Sequence, residues 1–154
     1  MEKIIRYASE EDFEPLMNMY LAEVENHHQR AKQFAKDLIY KVNTLLCITD
    51  EKIIGTVSWD KRGGLNDGVI ELVALGVNSS FRRQGIAKLL IISLIDEAKK
   101  YFSADGYKLR VIYLFMERGN KIGRFFYKNV GFREVSTIPA FCPDDDATIW
   151  IKYF

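Results

Sequence analysis

The chain has 154 residues, 48% of them hydrophobic and 13% aromatic, and its 22 Lys+Arg against 21 Asp+Glu leave a net charge of +1. That length predicts one domain over residues 1–154 with a core of its own, and the aromatic content excludes disorder. The near-neutral balance argues against a nucleic-acid partner, which needs a basic excess or patch.

Residues 1–6, Met-Glu-Lys-Ile-Ile-Arg, carry charge too early for a secretory signal. Lys3 to Tyr7 reads as a short strand. Ser9 then caps a helix, with Asp12 in the acidic position of a capping box, and Phe13, Leu16, Met17 and Tyr20 recur at helical spacing. The adjacent histidines His27 and His28 point apart on a helix, so no metal site is expected. A second helix is expected over Gln29 to Lys41. Leu45 to Thr49 and Ile53 to Trp59 form a hairpin about the turn Asp50-Glu51-Lys52.

Lys61 to Gly68 reads as a loop, and Val69 to Val77 as a central strand. Gly85 to Phe102 is helical. Its run Leu89 to Ile95 is the longest apolar stretch, far short of the ~20 residues of a membrane span. A strand over Lys108 to Met116, a helix over Asn120 to Asn129, and strands over Glu134 to Ile138 and Ala147 to Phe154 complete the order β-α-α-β-β-β-α-β-α-β-β. Hairpins around a β-α-β unit imply a mixed α/β (α+β) domain on one sheet. Cys47 and Cys142 stand far apart with no CxxC pair. Neither a zinc module nor a disulfide framework is indicated, and a reducing, cytoplasmic setting is the simpler expectation.

The most informative segment runs from Val73 to Leu90. An apolar strand ending Leu75-Gly76-Val77 is followed by Arg82-Arg83-Gln84-Gly85-Ile86-Ala87-Lys88 and a long helix. A helix N-terminus has unsatisfied N–H groups and partial positive charge, so it is an anion site in waiting. Gly85 removes a Cβ where phosphate oxygens would approach, Ala87 keeps the next turn small, and Arg82, Arg83 and Lys88 add charge. A solvated basic helix start explains the same residues. Neither GxxxxGK[ST] nor GxGxxG occurs, so a P-loop NTPase or a Rossmann dehydrogenase has no support.

Arg82-Arg83-Gln84-Gly85-Ile86-Ala87 resembles the pyrophosphate loop of the GCN5-related N-acetyltransferases, the GNAT family, whose pattern is [Arg/Gln]-x-x-Gly-x-[Gly/Ala]. Asn120, followed by a helix carrying Phe126-Tyr127 and closed by Gly131-Phe132, resembles the family's second signature. Gly123 departs from it, since alanine is frequent there; glycine weakens the helix but leaves its face open. Asn120 as an ordinary cap and Tyr127 as a core aromatic remain open readings.

The resemblance implies a GNAT-type acyl-CoA N-acyltransferase fold: a mostly antiparallel central sheet with a splayed parallel pair and about four helices. It implies acetyl-CoA as acyl donor and no metal. The backbone of Leu75, Gly76 and Val77 would meet the pantetheine, with the Leu75 N–H polarising the thioester carbonyl. The amides of Arg83 to Lys88 would hold the pyrophosphate, and Asn120 the pantetheine arm. Tyr127 is the implied general acid. Glu71, on the strand face of Val73, Leu75 and Val77, is the candidate base, with a rim charge as the plainer account. The acceptor is an amine, a small molecule ahead of a protein, with Glu23, Glu25, His27, His28 and Asp144-Asp145-Asp146 near its approach; a solvated turn is the plainer account of the three aspartates. Dimers are common in the family. A non-catalytic acyl-CoA sensor on the same fold is the alternative.

Overall fold

The structure is a computed structural model and describes residues 2–154. Seven strands form one mixed sheet in the order β1-β2-β3-β4-β5-β7-β6. They are β1 Ile4–Tyr7, β2 Asn43–Thr49, β3 Lys52–Arg62, β4 Val69–Val77, β5 Val111–Glu117, β6 Arg133–Cys142 and β7 Asp145–Tyr153. The α-helices are α1 Phe13–Glu23, α2 His28–Lys36, α3 Ile86–Ser103 and α4 Lys121–Asn129. The mixed α/β class, the element order and four helices follow the expectation. Pairing is antiparallel for β1–β2, β2–β3, β5–β7 and β6–β7, and parallel for β4–β5, where Val69 to Glu71 align with Val111 to Tyr113.

The chain groups into two compact units, residues 1–60 with 73–97, and residues 61–72 with 98–154. In the first unit, Leu16, Ala35, Leu38 and Leu46 form a buried cluster under Phe13, Met17, Phe34 and Ile53. The helical spacing of those residues on α1 and α2 is what turns them onto β2. Asp12 starts α1: its carboxylate accepts from the Ser9 N–H at 2.8 Å and pairs with both Arg6 guanidinium nitrogens at 2.8 Å. The Arg6 hydrogen bond holds that carboxyl below its ordinary range. The second helical stretch reaches Lys41, as expected, but its last turn changes character. Residues Asp37–Lys41 widen into a π-turn, and the Leu38 carbonyl accepts from the Thr44 hydroxyl at 2.7 Å.

In the second unit, β5, β7 and β6 carry α4 on one face. A Cβ on Gly123 would stand 2.5 Å from Met116 Sδ, and Arg124 lies over the Trp150 ring at 5.4 Å. The face at Gly123 is therefore filled by Met116, not open. Two boundaries also move. β3 continues through Arg62, where a loop is expected, and β5 begins only at Val111 because the Arg110 and Val111 N–H groups donate to the Gly68 carbonyl.

Candidate active site

In the first unit, β4 runs into the basic turn. The Asn78 N–H donates to the Ile54 carbonyl at 2.8 Å, and one 3-10 turn over Ser79–Phe81 follows. Glu23 of α1 accepts from the Ser79 N–H and hydroxyl at 3.3 and 3.2 Å, so it anchors the turn. Arg82 folds back, its Nε donating to the Val77 carbonyl at 3.2 Å. Arg83 and Gly85 are both left-handed, with φ of +60° and +79°. For Arg83 that conformation is strained, a cost of about 1–2 kcal/mol. Strained backbone is concentrated at ligand-binding turns.

The first intrahelical bond of α3 runs from the Leu89 N–H to the Gly85 carbonyl at 3.0 Å. The N–H groups of Ile86, Ala87 and Lys88 thus precede the helical ladder and face outward as a cluster of donors. Ile86, 1% exposed, pins the turn, while Arg82, Arg83, Gln84, Gly85 and Lys88 are exposed. Around the position a Gly85 Cβ would take there is no atom within 4 Å. That side of the turn is open, and the glycine is required by its φ rather than by protein packing.

Upstream, Leu72 is buried, but Val73 and Gly76 are exposed and Leu75 and Val77 only half-buried.

In the second unit, Asn120 caps α4, its Oδ1 accepting from the Gly123 N–H at 2.9 Å. The capping reading therefore holds for one end of the amide and leaves Nδ2 as a donor. Tyr127 is 9% exposed, its ring edge-on to Phe126 and Phe132 at 5.1 and 5.5 Å. Burial pushes its hydroxyl up to about 12, and that hydroxyl makes no hydrogen bond among the described residues.

Glu71 is not a bare carboxylate. Its Oε1 accepts from Arg62 Nε at 3.1 Å and the Tyr113 hydroxyl at 3.3 Å, with Arg62 Nη2 at 3.0 Å. Reading 61–68 as a loop hid Arg62; only the extra residues of β3 bring it beside Glu71.

The remaining acidic candidates do structural work. Glu25 accepts from Arg30 at 2.9 Å and from the Tyr20 hydroxyl, and His27 Nδ1 caps α2 through the Arg30 N–H at 3.1 Å. Asp145 and Asp146 begin β7 rather than fill a solvated turn, bonding the N–H groups of Gly119 at 2.7 Å and Ala140 at 2.9 Å.

The family model described as acetyltransferase (GNAT) family matches residues 7–132. The chain belongs to the GNAT acetyltransferase family. Among solved structures, this GNAT protein resembles a GNAT-family protein of Desulfovibrio desulfuricans, with TM-score 0.80, 15% identity and 99% of each chain covered. It also resembles Arabidopsis thaliana NAA60 in complex with acetyl-CoA, with TM-score 0.77, 19% identity and 99% of each chain covered. The Escherichia coli ribosomal-protein-S18-alanine N-acetyltransferase gives TM-score 0.77 and 18% identity, over 99% of this chain and 94% of that one. At these identities the likeness establishes the GNAT fold. Comparison with curated proteins finds no match. No helix among the described residues is long and apolar enough to cross a membrane.

Proposed function

We infer that this GNAT protein is a single-domain acetyl-CoA-dependent N-acetyltransferase acting on a primary amine by direct attack. The observation that carries the donor half is the α3 N-terminus, where free N–H groups surround a glycine with empty space on its side-chain side. Acetyl-CoA, when bound, supplies an activated acyl group and a thiol leaving group.

The protein's own residues then have distinct tasks. The amides of Arg83 to Lys88 hold the pyrophosphate, helped by the Arg83 and Lys88 charges. Arg82 holds the turn through Val77. The backbone of Leu75, Gly76 and Val77 takes the pantetheine, the Leu75 N–H stabilising charge on the acyl oxygen. Asn120 gives its free Nδ2 to the same arm.

An alkyl ammonium, with an ordinary pKa near 10.4, must lose a proton before it attacks. Glu71 Oε2, directly or through water, takes it. Arg62 Nε and Nη2 hold the other oxygen, Oε1, and so fix the direction in which Oε2 is presented. The N–C bond forms as the C–S bond breaks. Of the two protons the ammonium gives up, one ends on the thiol and one in solvent. Tyr127 donates to the thiolate: raised to about 12, it is fully protonated at neutral pH.

Tyr127→Phe tests the reading. The account expects turnover to fall by at least about 100-fold with acetyl-CoA affinity unchanged. Equal turnover across the pH range would remove Tyr127 from the mechanism.

A further inference from the structure

The acceptor is open in that reading, and the following step rests on it. Met116 and Trp150 lie under α4, so alternation along β5 turns Tyr113, Phe115 and Glu117 to the opposite face. On β7, Ile149 pairs with Phe115 and Ala147 with Glu117, which extends that face toward β6. Phe141 of β6 completes a row of aromatic rings. It stacks on Phe115 at 5.5 Å and 16°, and Tyr113 meets Phe115 edge-on at 5.8 Å and 88°. Phe115 is nevertheless 40% exposed and Phe141 59%. Ala147, small and fully buried, sits on β7 between the strands that carry the stacked pair.

Phe141 reaches that stack through an irregular backbone. The β6–β7 register shifts between Ile138 and Cys142, and Ala140 adopts φ +52°. Asp146 Oδ1 fixes the bulge by accepting the Ala140 N–H at 2.9 Å. Bulges re-aim a side chain, and this one places an aromatic ring in water rather than in a core. Exposed rings in a contiguous group mark a binding surface.

Carboxylates flank the row. At one end Tyr113 bonds Glu71 Oε1, the oxygen that Arg62 also holds at 3.0 Å, which leaves Oε2 toward the row. At the other end Glu117 is exposed and makes no ion pair among the described residues. Asp145 and Asp146, though hydrogen-bonded to the Gly119 and Ala140 N–H groups, keep their charge at this end, and Asp146 also pairs with Arg118 at 3.5 Å.

We propose that the Tyr113–Phe115–Phe141 face is the acceptor subsite, and that it takes an amine bearing an aromatic or bulky apolar group. The rings hold the apolar body while the flanking carboxylates attract the ammonium. Two sources carry that chemistry, a small arylalkylamine and the α-amine of a peptide whose first side chain is aromatic. A polyamine or a lysine tail has the charge without the body.

The experiment compares CoA release with 2-phenylethylamine, a phenylalanine-initiated tetrapeptide, spermidine and Nα-acetyl-lysine amide, with calorimetric binding of acetyl-CoA measured in parallel. The proposal expects kcat/KM to be highest for one of the first two, and which of them leads names the source. Phe141→Ala should raise the KM of that amine at least about tenfold, Phe141→Tyr should restore it, and acetyl-CoA binding should be unchanged in both. Because Phe141 is mostly exposed, neither change threatens folding. Preference for spermidine or the lysine amide, or no effect of Phe141→Ala, overturns this inference alone. Failure of the wild-type protein to bind acetyl-CoA overturns the acetyltransferase reading and this inference with it.

Discussion

Tyr127 shows how one environment sets both a proton affinity and a stability signature. Burial against Phe126 and Phe132 removes water from the phenol and raises its pKa from 10 to about 12. The folded protein therefore keeps this proton at pH values where the unfolded chain releases it. The associated stability is whole below pH 10 and is lost as pH rises through 12, about 2–3 kcal/mol in all. Urea unfolding across the alkaline range should show a shallower decline for Tyr127→Phe than for the wild type. Tyr7, also raised to about 12, chiefly by burial with Glu97 adding to it, keeps the variant's decline from vanishing. An identical slope in both proteins contradicts the buried-phenol account. The type of residue at 127 was legible from its helical offset from Asn120. Its unpartnered hydroxyl was not, because that depends on the aromatic neighbours Phe126 and Phe132 closing around the ring.

At the scale of elements, the entry to α3 depends on a residue outside its motif. A Cβ on Gly55 of β3 would meet Leu90 Cδ1 at 3.0 Å, Ile86 Cγ2 at 3.1 Å and the Gly76 carbonyl at 3.2 Å. Gly55 thus lets the first turn of α3 lie close on the strands. Gly55→Val should destabilise by about 1–3 kcal/mol through overpacking and weaken acetyl-CoA binding, since it pushes the donor N–H groups out of place. Thermal unfolding and acetyl-CoA titration of the variant check both effects; intact affinity would separate Gly55 from the loop. The Arg6–Asp12 pair makes a second element-level prediction. Asp12 is only 5% exposed, and its lowered pKa gives stability that is present above pH 4 and lost as pH falls through the folded value. Asp12→Ala should cost about 2 kcal/mol and flatten that acid limb in unfolding experiments. The carboxylate half of the capping box could be read from Ser9 and Asp12 alone. Arg6 could not, because it arrives from β1 by strand pairing. Likewise, the hairpin turn at Asp50 and Glu51 was legible, and both residues are left-handed as such a two-residue turn demands. The widening of Asp37–Lys41 was not, since it answers to the Thr44 hydroxyl and not to helical periodicity.

For the whole molecule, the element order and the loop motif that carries the family resemblance were readable because both are local. Alternation and helical spacing decide each element, and a loop motif occupies consecutive residues. The proposed acceptor face was not readable, because its residues lie on β3, β4, β5 and β6 and meet only through register. Glu71 looked like a free carboxylate until β3 supplied Arg62, and Phe115 and Phe141 had no reason to be paired before the β6 bulge turned one toward the other. The account as a whole stands on the α3 N-terminus being an acetyl-CoA site. Calorimetric titration of acetyl-CoA into the purified protein, with Gly85→Glu as the comparison, tests that most directly. The Glu side chain fills the space around Gly85 and sets a negative charge against the pyrophosphate. The account predicts saturable binding to the wild type at one site per chain and none to a folded Gly85→Glu variant; equal affinity in the two, or no binding to folded wild-type protein, contradicts it.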